Sequence, residues 1–244
     1  MMGLATRLRL ARTLAWTGLR DSPEELAELV KQLVSRRTGL VVIVQPDARD
    51  DDLAQGFEAA AAARDGSVIL GVAHDLATAE QVHADLVAVN ASEKPGRGHQ
   101  WGLCVAVAGN WSSAERALAN DQVDALVVIA DLVDKMVQAA PPAEAASKPW
   151  FCQVADLAEA REVVERGARR LAFEAPPAEL AGELRELLGE AWRTEMERYT
   201  FAAMQGDQAV TRPRSFLGGA APKPAEQQPN TLAEGERWVI PTDD

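Results

Sequence analysis

Several short apolar runs end in side chains able to do chemistry. "GLVVIVQPDAR" leads into Gln45 and Arg49, an amide and a cation that can grip an anionic group. "SVILGVAHD" ends on His74-Asp75, and "DLVAVNASE" passes through Asn90 to Glu93. Two carboxylates brought from adjacent strand ends can share a Mg2+ with water and a substrate phosphate, because this ion takes a few hard oxygens and keeps its remaining water. Asp75 equally suits the N-cap of a following helix, where its side chain accepts a backbone N–H. Asp156 before "LAEAREVV" reads as a cap of that kind. "GLCVAVAGNW" contributes Asn110 and "ADLVDKM" contributes Lys135. No histidine stands at a catalytic spacing from a cysteine, serine or acid, and no glycine-rich phosphate loop, C-x-x-C or G-x-S-x-G occurs.

The elements that must position these residues are legible as runs of Val, Ile, Leu and Ala without alternation. They span 12–18, 39–45, 67–73, 85–90, 102–109, 124–131, 150–155 and 169–174. Continuous apolarity over so few residues marks a strand buried on both faces. Helical patterns lie between them. In "DSPEELAELVKQLVSRR" Ser22 is the N-cap, Pro23 the first helical residue and Glu25 the third, a capping box. "DDDLAQGFEAAAAARDG" starts on three aspartates and stops at Gly66, while "DLAEAREVVERG" is closed by Gly167. Repeated strand–helix alternation implies a parallel sheet with helices outside, and eight strands imply a closed (β/α)8 barrel. An open doubly wound sheet is the competing arrangement. In a barrel, chemistry belongs at the carboxyl ends of the strands, where the residues above fall, except Lys135, which lies in the helical pattern "LVDKMVQAA".

The chain of 244 residues is 47% hydrophobic, enough for one large core. Its net charge of −12 argues against a partner with a phosphate backbone, so no nucleic acid is expected. Cys104 and Cys152 sit inside apolar runs and read as buried small hydrophobes. No apolar stretch is long enough for a membrane span, and the expected location is cytoplasmic. A long final helix is expected over 178–206, completing a barrel domain of residues 1–206. Residues 207–244, rich in Pro, Gly and Gln, read as a disordered tail. Trp238, Val239 and Ile240 near its end either dock on the barrel or bind a protein partner.

The order of strand ends resembles the thiamine-phosphate synthase family, with its thiazole tautomerase relatives, over about residues 12–190. The family's second strand ends in Q-L-R-x-K, and here "QPDAR" keeps Gln45 and a positive charge at Arg49 but has Asp47 where an arginine belongs. The third strand's Asn-Asp is "HD", which keeps Asp75, and Glu93 stands for the acids of the Gln-Glu-Asp after the fourth. The resemblance implies a transferase that joins an aminopyrimidine pyrophosphate to a thiazole phosphate. Asp75 and Glu93 would hold Mg2+, and Gln45, Arg49, Asn110 and Lys135 would bind the phosphorylated substrates. Other positions depart from the pattern. "GNW" replaces the Ser/Thr-His after the fifth strand, and Gln153-Val154 replaces the Gly-Gly whose N–H groups meet a phosphate. "EAPPAEL" adds two prolines at the eighth strand end, and proline has no N–H to donate. The alternative is therefore a catalytically inactive barrel of the same family that senses a small ligand or binds a partner.

Overall fold

The structure, a computed structural model, describes residues 3–18, 20, 22–35, 39–44, 50–64, 68–73, 76–91, 102–144, 146–174 and 178–204. Eight parallel strands follow one another around a closed barrel: β1 (Thr13–Gly18), β2 (Leu40–Val44), β3 (Ile69–Ala73), β4 (Leu86–Asn90), β5 (Leu103–Ala108), β6 (Ala125–Val128), β7 (Trp150–Gln153) and β8 (Leu171–Glu174). β8 pairs back onto β1, with Leu14 opposite Ala172 and Trp16 opposite Glu174, which excludes the open sheet. Helices cover the outside: α2 (Pro23–Ser35), α3 (Asp50–Ala63), α4 (Leu76–Gln81), α5 (Trp111–Ala119), α6 (Val133–Ala139), α7 (Leu157–Glu165) and α8 (Ala178–Met204). The helix expected after residue 177 is thus present as α8. Among the described residues no helix is long and apolar enough to cross a membrane.

Side chains of a strand point alternately to opposite faces, so each apolar run fills two cores. Leu14, Ile69, Leu86, Val105, Val127 and Phe151 turn inward and fill the barrel. Their neighbours Ala15, Leu70, Val87, Cys104, Leu126 and Trp150 turn outward beneath the helices. Gly71 is an inward position where the strands come close. A Cβ there would lie 2.7 Å from the Leu86 side chain and 2.8 Å from its carbonyl oxygen, so Leu86 takes that space.

The helix signals act as their residue types dictate. Ser22 Oγ accepts the N–H of Glu25 at 3.2 Å, and α2 then buries Leu26, Val30 and Leu33 along one stripe. α7 ends in a Schellman turn. Ala168 N–H donates to Val163 O at 2.9 Å and Gly167 N–H to Val164 O at 3.0 Å, with Gly167 at φ 109°. α8 buries Leu184, Leu188 and Trp192, spaced to share one face.

Two features depart from the sequence expectation. A short helix, α1 (Leu4–Leu10), precedes β1, and its Leu8, with Ala11, packs against the inward cluster at the amino ends of the strands. Seven residues with one buried leucine between Arg7 and Arg9 carry too little periodicity to be read as a helix. The sixth strand was expected to reach Asp131 but stops at Val128, because residues 130–132 turn into a 3-10 helix that leads into α6.

Both cysteines are buried, as expected. Burial pushes the thiol of Cys104 up to about 11, with Asp124 adding to it, and that of Cys152 up to about 12, with Glu159 adding. Since the thiolate is the nucleophile, iodoacetamide at pH 8 is expected to leave both unlabelled in the folded protein and to label both in urea. The raised folded values also set a sign. The thiols stabilise the fold fully below the ordinary cysteine range, and this contribution fades as pH rises through about 11 and 12. Denaturation midpoints measured from pH 8 to 11 are expected to fall over the upper part of that range.

Candidate functional site: the carboxyl-end mouth of the barrel

The alternation that fills the barrel also decides what stands at its mouth. Counting on by twos from Leu14, Val105, Val127, Phe151 and Ala172 reaches Trp16, Val107, Ile129, Gln153 and Glu174. All five line a cavity of about 860 Å3, with Thr17, Gly18 and Arg20 on the β1 side and Ala73, Val128 and Gly109 completing the wall. Val107 and Ile129 are 36% and 40% exposed, large apolar side chains left open at the top of a packed barrel. Trp16 is fixed across the mouth, its Nε1–H donating 2.7 Å to Gln153 Oε1. An amphipathic ring held by its polar edge offers its face to a planar ligand. Glu174 closes β8 as an exposed carboxylate with no ion-pair partner among the described residues.

A second hollow of about 410 Å3 shares Ile129, Gln153 and Glu174 and extends over Val154, Ala155 and Glu159. This is where β7 turns into α7. A helix N-terminus leaves donors free and attracts an anion, and barrels use this region for phosphate. Here the chain's own carboxylates occupy two of the backbone donors at this turn. Asp156 Oδ1 accepts the N–H of Glu159 at 2.9 Å, and Glu159 Oε2 accepts the N–H of Ala155 at 2.6 Å. Val154 N–H is bonded to Ala172 O at 2.9 Å. Asp156 is the cap that its place before "LAEAREVV" suggested.

Gln45, Arg49, Asp75 and Glu93, and the tail residues Trp238, Val239 and Ile240, lie outside the described residues. Asn110 is the N-cap of α5: its Oδ1 accepts the N–H of Ser113 at 3.0 Å, and Ser113 Oγ donates to its carbonyl at 2.8 Å. Lys135 lies on α6 with its Nζ 5.7 Å from the ring centre of Trp111, the residue after Asn110. Thus Asn110 and Lys135 come together through Trp111, while the large cavity is lined by other side chains. Because the Asn110 side chain holds a helix end, Asn110→Ala is expected to cost about 1 kcal/mol of stability, read from urea denaturation. Among the described residues no group of three His, Cys, Asp or Glu side chains could hold a metal ion.

No family model and no curated protein sequence matches the chain. Solved structures do. Thiamine phosphate pyrophosphorylase from Pyrococcus furiosus is 15% identical, with a TM-score of 0.56 over 76% of this chain and 98% of its own. Tryptophan synthase subunit alpha from Legionella pneumophila is 13% identical, with a TM-score of 0.58 over 78% and 100%. Dihydropteroate synthase from Burkholderia cenocepacia, complexed with 7,8-dihydropteroate, is 13% identical, with a TM-score of 0.56 over 80% and 93%. The likeness is one of fold. Enzymes of different activity share this barrel, so the thiamine-phosphate synthase resemblance holds at the level of architecture, and function must be argued from the mouth.

The residues expected to bind substrate were others, but Trp16, Gln153 and Glu174 also stand at the carboxyl ends of their strands. The signal that finds them is parity. Each lies two residues beyond an inward core residue of its own strand.

Proposed function

We propose that the chain is a small-molecule-binding barrel whose mouth takes a planar, largely apolar ligand without a phosphate group. The observation that carries this reading is the start of α7, where the Glu159 and Asp156 carboxylates accept the N–H groups of Ala155 and Glu159 and add negative charge to the hollow that Glu174 also lines. An anion entering there would have to displace them and then face Glu174. Two unit charges about 4 Å apart interact by roughly 4 kcal/mol near a protein surface, here as repulsion. Trp16 and the open Val107 and Ile129 instead favour an aromatic or aliphatic body, with Gln153 and Glu174 fixing its polar edge.

A second reading is the transferase. It is favoured by one arrangement: Gln45 and Arg49 follow β2, Asp75 follows β3 and Glu93 comes after β4, three neighbouring strands of the barrel. In that reading Asp75 and Glu93 would hold Mg2+, which supplies positive charge as pyrophosphate leaves, while Gln45 and Arg49 orient the leaving group. The assay that separates the readings follows pyrophosphate release from purified protein with aminopyrimidine pyrophosphate, thiazole phosphate and Mg2+. The binding reading expects silence from a folded protein. Release that needs both substrates and disappears in Asp75→Asn would establish the transferase.

A further inference from the structure

Trp16 fixes the polarity of the residue that holds it. An indole N–H is a donor only, so the Gln153 atom 2.7 Å away is the carbonyl oxygen Oε1. The two N–H bonds of the same amide are turned to another partner, and they meet no acceptor among the described residues. β8 stands between β1 and β7, and its inward residue opposite Gln153 is Ala172, whose small side chain lets the Trp16 ring reach across. Two residues further along the same face, Glu174 stands opposite Trp16. A donor from β7 and an acceptor from β8 therefore flank the indole, and both residues line the mouth cavity and the adjoining hollow.

The other polar side chains bordering this space are differently placed. Glu159, in the adjoining hollow, already accepts the Ala155 N–H at Oε2. Thr17 Oγ1 donates to Gly18 O at 3.1 Å. Arg20, exposed on the β1 side, can only donate. Among the described lining residues of the mouth, Glu174 is thus the carboxylate open to a ligand. A ligand edge with acceptors alone would face this carboxylate lone pair to lone pair, and one with donors alone would leave the Gln153 N–H bonds unmet. Because an unmade hydrogen bond costs more than a made one gains, the pair selects an edge with one of each.

We propose that Gln153 and Glu174 read one edge of a planar heterocycle, Gln153 donating to an acceptor and Glu174 accepting from an N–H beside it, as a cyclic amide presents them. This rests on the reading of the mouth as a site for a planar ligand. The probes are carbostyril, a flat cyclic amide fused to benzene, and coumarin, the same shape with a ring oxygen in place of the N–H. Each is titrated into the full chain while the Trp16 indole N–H resonance is followed by NMR. Carbostyril is expected to bind at least about tenfold more tightly than coumarin, since a site built to meet an N–H rejects the isostere that lacks it. Glu174→Ala, an exposed change, is expected to bind the two alike, and Arg20→Gln to keep the preference. Equal affinities in the parent chain, with the Trp16 resonance shifting, would overturn the edge assignment and leave the planar mouth standing. A preference that survives in Glu174→Ala would overturn it as well. No saturable shift with either compound would overturn both the assignment and the reading of the mouth beneath it.

Discussion

Replacing Trp150 by alanine is expected to remove about 3–5 kcal/mol of stability, the range for truncating a large buried aromatic side chain. Trp150 opens β7 facing outward, 1% exposed, in the core between sheet and helices. Its Nε1–H donates 2.8 Å to Ala140 O, the carbonyl at the carboxyl cap of α6 that no further helical turn can satisfy. The substitution therefore opens a cavity and strands a buried acceptor at once. Native domains hold about 5–15 kcal/mol in total, so the variant should sit near its unfolding transition at 37 °C. Urea denaturation checks this, with a lower midpoint and an unchanged slope expected. Trp150→Phe keeps much of the volume but loses the hydrogen bond, and should cost clearly less. A loss under about 1 kcal/mol for Trp150→Ala would mean that the outer core collapses around the gap more freely than its packing suggests.

The second large effect concerns the mouth. Ile129→Trp is expected to fill the cavity from the β6 side and to weaken ligand binding at least about 100-fold, a change of about 2.7 kcal/mol. Ile129 is 40% exposed, so its replacement should shift stability by no more than about 0.5 kcal/mol. The probe is the unphosphorylated aminopyrimidine alcohol, titrated into parent and variant. Val107→Trp, reaching into the same space from β5, should do the same. Equal affinities in parent and both variants would place the binding elsewhere on the molecule.

How much of this was legible depends on which physical signal each feature leaves. Strands such as "ILGVA" and "ALVV" are apolar on both faces because both faces are buried, and a one-dimensional pattern records that directly. The starts of α2 and α7 and the end of α7 are written in Ser22, Asp156 and Gly167, whose local hydrogen bonds depend only on neighbours in the chain. Helix α1 left no such signal, since its one buried leucine is fixed by tertiary contact with the barrel interior. The end of β6 was misplaced for a related reason. Ile129 continues the apolar run but serves the mouth instead of the ladder.

The site was harder to read than the fold. Asn110 looked like a ligand-binding amide because it follows a strand, but a strand that enters a helix directly puts its N-cap at that same position. Asp156 was recognised as a cap. What its pairing with Glu159 does to the phosphate region appears only when the backbone donors at Ala155 and Glu159 are followed one by one. The contact of Trp16 with Gln153 joins residues 137 positions apart, and no local pattern announces it.

The most direct test of the phosphate-free mouth is an NMR titration that follows the Trp16 indole N–H, the donor to Gln153. The aminopyrimidine alcohol and its pyrophosphate are added in parallel to the folded chain. The account expects the alcohol to shift this resonance saturably and the pyrophosphate to act at least about tenfold more weakly, a difference of about 1.4 kcal/mol. Tighter binding of the pyrophosphate, with the same resonance shifting, would contradict it and return the mouth to phosphate chemistry.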